Sequence, residues 1–281
     1  MRTLLPLAVI GLCLVSCSAL ETERGEAAPS PRKVFYARLD IGTKVSVDES
    51  VKLFWNEDDR ITIFDKVSYN QEYRFTGETG DRDGEFVIVP NDDFHTGNKI
   101  SSVYAVYPYL ESTKISNKEV LTVTLPSEQH YRENAFGLGA NLMVSVTADD
   151  DLLFKNVGGY LVLKFYGEGV SVSSVKLTGN RAEQISGKAT LSFSEDGIPS
   201  ATPASTALSE VTLTCEMPVV LGATKEEAVA FWMVLYPADF AEGFMLTVTD
   251  SDGRTFTKTT DKSLSVVRNG VRRIAPVEVV M

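Results

Sequence analysis

From Lys33 onward the chain alternates apolar and polar residues with a period of two, and that pattern constrains its fold more than any other feature. Leu121–Leu125 reads LTVTL, and SVKLTG (174–179), ATLSFSEDG (189–197) and FMLTVTDSDG (244–253) repeat the pattern. Alternation puts every second side chain on one face, which suits a half-buried strand and spoils a helix. The last two segments end in Asp-Gly pairs, 196–197 and 252–253, which favour tight turns between strands. SVYAVYPY (102–109) and VAFWMVLYP (229–237) are continuously apolar, as expected of strands covered on both faces. The best helical segment, TKEEAVA (224–230), is too short to alter the class. The chain reads as all-β, with strands about every ten residues as in antiparallel β-sandwiches.

Two apolar strands that each run into Tyr-Pro, at 107–108 and 236–237, suggest two tandem domains. The acidic turn TADDD (147–151) marks the division, giving an N-terminal sandwich over 34–150 and a C-terminal one over 151–281. Just beyond it, FKNVGGYLVLKFYG places Gly158-Gly159 ahead of an alternating strand. Paired glycines there suit a bulge or a close strand crossing, with Asn156 capping the bend.

The N-terminus sets the compartment. MRTLLPLAVIGLCLVSC has one basic residue, Arg2, and an apolar run of secretory length, too short to span a bilayer. It ends in Leu-Val-Ser-Cys, which resembles a bacterial lipobox. Residues 1–16 therefore read as a lipoprotein signal peptide and Cys17 as the lipidated first residue of the mature chain. Acyl chains add about 0.8 kcal/mol per buried methylene, enough for a stable anchor in the outer membrane. A plain cleaved signal followed by a stray cysteine is the simpler alternative. Residues 17–33, charged and rich in Ala, Pro and Ser, read as a flexible tether. Glu21, Glu23 and Glu26 resemble the acidic stretch behind the lipid cysteine of surface-exported Bacteroidetes lipoproteins.

Little in the sequence points to chemistry. The formal charge is −11, and −12 once Arg2 leaves with the signal (26 basic against 38 acidic residues), which disfavours a nucleic-acid partner. The two histidines, His95 and His130, lie in separate polar segments without a metal-pairing neighbour. Asp250-Ser251-Asp252-Gly253 could begin a calcium loop, but it lacks the later glutamate and sits between alternating strands, so a β-turn fits better. No nucleophile elbow, phosphate loop or dinucleotide fingerprint occurs, so neither an enzyme nor a bound metal or cofactor is expected. Cys215 continues the face of Val211 and Leu213 and reads as a buried core thiol with no disulfide partner. Trp55 and Trp232 could form a sugar platform but sit among apolar strand residues, where core positions fit better.

Taken in order, the lipobox, KVFYARLD (33–40), FWNEDDRITIFD (54–65), YAVYPY (104–109) and LTVTLPSEQHY (121–131) resemble the fimbrillin-like (Mfa-like) lipoproteins of Bacteroidales. FKNVGGYLVLKFYG (154–167), VSSVKLTGN (172–180), AFWMVLYPADFAEGFMLTVTDSDG (230–253) and VVRNGVRRI (266–274) extend the likeness over nearly the whole mature chain. The resemblance implies two transthyretin-like sandwiches and a role in type V fimbriae alongside other pilin subunits. It also implies assembly by strand exchange, in which a protease removes the first strand and a neighbour's strand fills the groove. Here the removable strand would lie within 34–40 and the donor would be RRIAPVEVVM (272–281). Where many members carry Thr-Arg-Thr, this chain has Thr43-Lys44-Val45, so maturation would fall at Arg32, Arg38 or Lys44. A copy that kept its first strand would act as an anchor. The alternatives are a surface glycan-binding lipoprotein and a tip adhesin.

Overall fold

The computed structural model describes residues 33–40, 53–66, 69–90 and 99–281. The chain begins with β1 (Val34–Leu39), β2 (Arg60–Phe64), β3 (Gln71–Phe75), β4 (Asp83–Ile88) and β5 (Val103–Tyr107). Short strands follow: β6 (Lys114–Ile115), β7 (Leu121–Leu125), β8 (Glu128–Arg132), β9 (Ala135–Phe136) and β10 (Met143–Thr147). Next come β11 (Asp151–Asn156), β12 (Gly159–Tyr166), β13 (Ser171–Gly179), β14 (Gly187–Phe193), β15 (Pro199–Pro203) and β16 (Glu210–Val220). The segment read as the best helix forms a single 3-10 turn, Lys225–Glu227, ahead of β17 (Val229–Leu235) and β18 (Ala238–Phe240). The chain ends with β19 (Phe244–Asp250), β20 (Thr255–Thr260), β21 (Leu264–Val266), β22 (Val271–Arg273) and β23 (Val277–Glu278). The class is all-β, as the period-two pattern requires.

Seven strands close a barrel in the order β1-β11-β10-β5-β2-β3-β4. A sheet β20-β19-β13-β16-β8-β9 faces a second one built on β17-β12-β22, and β15-β14-β7-β6 forms a third. The pairing differs from the expected division at 150/151. TADDD is the turn of a hairpin: β10 and β11 are antiparallel neighbours in the barrel. In the other direction, β7 pairs with β14 and β8 with β16, so strands from before residue 150 extend sheets built from beyond it. The pairs β1/β11, β8/β16, β12/β22 and β12/β23 are parallel, which alternation within one strand cannot reveal.

Three clusters of buried side chains explain the hydrophobic runs. The barrel interior holds Phe35, Trp55, Ile61, Tyr73, Phe75, Phe86 and Phe154. A middle cluster joins the outer barrel face, through Phe64, Tyr104 and Val106, to Leu121, Val123, Leu191, Tyr160 and Tyr236. The third fills the space between the two larger C-terminal sheets, with Leu161, Leu163, Phe165, Val175, Leu177, Phe231 and Met233. Strand β5 is apolar throughout because Val103, Ala105 and Tyr107 point into the barrel while Tyr104 and Val106 enter the middle cluster. Strand β17 repeats this, with Phe231, Met233 and Leu235 on one side and Val234 on the other. The buried Gln129 side chain is paired: it donates to the Val234 carbonyl at 2.7 Å and accepts from its N–H at 3.0 Å, tying β8 to β17.

Gly158-Gly159 stands where the chain leaves the barrel and enters β12. A Cβ on Gly158 would lie 2.6 Å from the Leu235 carbonyl oxygen, and one on Gly159 would strike the Val267 carbonyl. The expected close crossing is therefore real. Asn156 secures it by accepting from Asn141 at 2.9 Å and donating to Asn269 at 2.5 Å. Cys215 packs against the cluster that holds Val211 and Leu213, as its place in the alternation suggested, but it is half-buried rather than buried, because β16 loses register with β13 after Thr214 and its next residues are exposed.

Candidate functional site: the first strand, its groove and the C-terminal segment

Strand β1 completes the barrel between β4 and β11. It runs antiparallel to β4 from Val34↔Val87 to Arg38↔Asp83, and parallel to β11 from Tyr36↔Asp151 to Leu39↔Phe154. Its VFYARL sequence alternates, so Phe35, Ala37 and Leu39 face the barrel core while Val34, Tyr36 and Arg38 face outward. Phe35 meets Tyr73 edge-on at 5.1 Å between ring centroids. Without β1, this trench would lose its apolar filling, and β4 and β11 would both carry unpaired backbone groups.

Charges fasten the strand at both ends. Lys33 Nζ lies 2.9 Å from Asp65 Oδ2 and 3.0 Å from Asp150 Oδ1, and it sits 4.6 Å from the centroid of the Phe35 ring. Burial pulls the Lys33 pKa down, but the bonds to Asp65 and Asp150 outweigh it and hold the ammonium above its ordinary value. The expected tether over 17–33 thus ends one residue early: Lys33 belongs to the folded body. At the other end Arg38 grips Asp151 with two bonds, Nη2 to Oδ2 at 2.7 Å and Nε to Oδ1 at 3.2 Å. These partners lie 32 to 117 positions apart in sequence, and no local signal announces them.

Of the expected maturation positions, Arg38 lies on the outer face of β1 with ladder partners on both sides. Proteases bind extended, unpaired chain, so cleavage there needs prior local opening. Cys17, Arg32 and Lys44 lie outside the described residues, as do the 1–16 segment and His95.

The C-terminal segment docks on its own chain. β22 pairs with β12 at Tyr160↔Val271 through Val162↔Arg273, and β23 at Phe165↔Val277 and Tyr166↔Glu278. Val277 and Val279 are buried in the third cluster, with Ile274 and Met281 packed against it. Pro276, which has no N–H, separates the two short ladders. Both the first-strand groove and the β12 edge are therefore filled from within one chain.

The aspartate turn uses its own oxygens. Asp250 Oδ1 accepts from the N–H groups of Asp252 (3.0 Å) and Arg254 (2.8 Å), and Oδ2 accepts from Arg254 Nε at 2.7 Å. This is a self-capped β-turn between β19 and β20.

Three solved structures give the comparison. A proposed cell adhesion protein from Bacteroides ovatus is 19% identical, with a TM-score of 0.45 over 84% of this chain and 90% of that one. Its counterpart from Bacteroides uniformis is 17% identical, with a TM-score of 0.47 over 88% and 93%. A fimbrial protein from Bacteroides ovatus is 14% identical, with a TM-score of 0.37 over 89% and 50%. These three are described as proposed cell adhesion or fimbrial proteins. No family model matches the chain, and no curated protein matches it.

Proposed function

We propose that this protein is a structural component of a cell-surface fimbria, held by lipid on Cys17 before assembly and joined to other subunits by β-strand exchange. The observation that carries this reading is the match between two segments of the one chain. β1 fills its trench with apolar residues at every second position (Phe35, Ala37, Leu39), and the C-terminal segment carries the same spacing in Val277, Val279 and Met281. That segment is held at home by ladders of only three and two residues. A released trench offers two backbone edges and an apolar floor, which is the chemistry an incoming strand completes. With both positions filled internally, the intact chain is the closed precursor, and removal of β1 is the switch. Residues Arg32, Arg38 and Lys44 are the proposed maturation positions, of which Arg38 requires the strand to open first.

The test is limited proteolysis of the purified mature chain with a trypsin-like protease, followed by electrophoresis without boiling. Ladders are expected after loss of β1 and not before it. A synthetic RRIAPVEVVM peptide added in excess should suppress them by occupying the trench. Absence of ladders after verified loss of β1, or ladders indifferent to the peptide, would overturn the proposal.

A further inference from the structure

The groove that holds β1 has an acidic rim. Outward residues alternate with buried ones on both neighbouring strands, so β4 sets Asp83 and Glu85 along one side and β11 sets Asp151 along the other. Position 36 lies between Glu85 and Asp151, and position 38 lies between Asp83 and Leu153. Asp65 and Asp150 close the end where the strand begins. Two cations of β1 answer these five carboxylates: Lys33 reaches Asp65 and Asp150, and Arg38 holds Asp151 at two points. Between them the Tyr36 hydroxyl donates to Asp83. Among the described residues, cations of the flanking strands come into line only past this rim. Arg82 lies beside Leu39, and Lys155 follows Phe154, the other neighbour of Leu39.

A strand that fits this groove therefore meets two needs. Phe35, Ala37 and Leu39 fill the apolar floor, while Lys33 and Arg38 meet the rim. The C-terminal segment of the same chain meets only the first. Val277, Val279 and Met281 can lie over the three floor positions, and Glu278 then follows from the alternation. Running in the direction of β1, the segment sets Glu278 at position 36, between Glu85 and Asp151. Running the other way, it sets Glu278 at position 38, beside Asp83 and where Arg38 now reaches Asp151. Either direction brings a sixth carboxylate among like charges. Like charges set against each other suppress wrong partners, while opposite charges favour right ones.

We propose that the vacated groove favours a cationic donor strand from a different subunit over the C-terminal segment of another copy of this chain. The selection presupposes strand exchange and gives its partner a chemistry: three apolar residues at alternate positions, with Lys or Arg beside them in place of Lys33 and Arg38. Apart from Asp65 the rim is exposed to solvent, so the preference is one of degree. It favours mixed polymers over uniform ones.

The rim is tested in the full mature chain, with β1 as its own probe. Tyr36 faces outward and is 43% exposed, so Tyr36→Lys and Tyr36→Glu change the charge at this position and leave the barrel interior alone. Amide exchange over residues 34–39 is read by mass spectrometry and corrected for intrinsic rates. It is expected to be about fivefold or more faster in the Tyr36→Glu chain than in the Tyr36→Lys chain. The gap should shrink in about 1 M salt, where the screening length falls to about 3 Å. A second arm compares RRIAPVEVVM with its Glu278→Lys form as suppressors of ladders, both added after the protease that cuts β1 has been inhibited. The Glu278→Lys peptide is expected to act at a concentration lower by about fivefold or more. Equal exchange in the two variants, a gap that salt leaves unchanged, or equal suppression by the two peptides overturns the proposal. If the exchange gap is present but neither peptide suppresses ladders, strand exchange itself fails, and the proposed partner falls with it.

Discussion

The guanidinium of Arg38 closes on the carboxylate of Asp151 across two parallel strands, with its shorter contact at 2.7 Å. This pair fixes the outer face of the strand that seals the barrel. Both side chains are about half exposed, so solvent screens the pair and it adds little to global stability. Asp151→Ala should leave global stability nearly unchanged yet raise trypsin cleavage after Arg38, by less than about tenfold. Mass spectrometry of timed digests measures this.

Phe35 carries far more of the strand's hold than Arg38 does. It is fully buried against Tyr73 inside the barrel. Phe35→Ala should cost about 3–5 kcal/mol, through lost transfer energy and the cavity left behind. Urea unfolding should show this as a lowered midpoint, and β1 should become the first segment to exchange amide hydrogens.

Two glycines separate packing from backbone strain. Gly159→Ala drives a methyl into the Val267 carbonyl and should cost roughly 1–3 kcal/mol or more. Gly253 has open space around it but a φ of +80°, so Gly253→Ala should cost about 1–2 kcal/mol from conformation alone. Thermal unfolding of both variants should show Gly253→Ala as the milder change.

The Asp250 turn gives a pH signature. Burial raises the Asp250 pKa, but hydrogen bonds from Arg254 and Asp252 override this and hold the carboxyl below its ordinary value. A depressed folded pKa gives stability that is present above the unfolded value, about 3.9, and is lost as pH falls through the folded one. Asp250→Asn should therefore lower the Tm at neutral pH, with the gap to the parent narrowing below about pH 4.

Cys215 should behave as a slow thiol. Burial pushes its pKa up to about 11, which lowers the thiolate fraction at neutral pH by about 100-fold relative to an ordinary cysteine. A disulfide reagent should label Cys215 slowly in the native protein and quickly in denaturant. Rapid labelling of the native chain would contradict this environment.

Much of the strand content was legible. LTVTL became β7 with Leu121, Val123 and Leu125 fully buried, and FMLTVTD became β19. Continuous runs such as VYAVY foretold burial on both faces because two clusters compete for one strand. Less legible was what the turn joins. TADDD is acidic and looks like a linker, but turn residues favour a hairpin equally, and β10 pairs with β11 across it. The tryptophans divide: Trp55 is the core residue its apolar neighbours suggested, whereas Trp232 is only half-buried against the middle cluster.

Alternation is a property of residues two apart, so the sequence by itself determined that the chain forms strands, which faces are apolar and where turns can fall. Pairing joins residues separated by tens or hundreds of positions, through backbone groups that every residue carries alike. For that reason only the tertiary structure decided the barrel order, the parallel neighbours and the ion pairs of Lys33 and Arg38. It also decided that β1 and the C-terminal segment each occupy an edge in the same chain, which is the arrangement on which the proposed assembly depends.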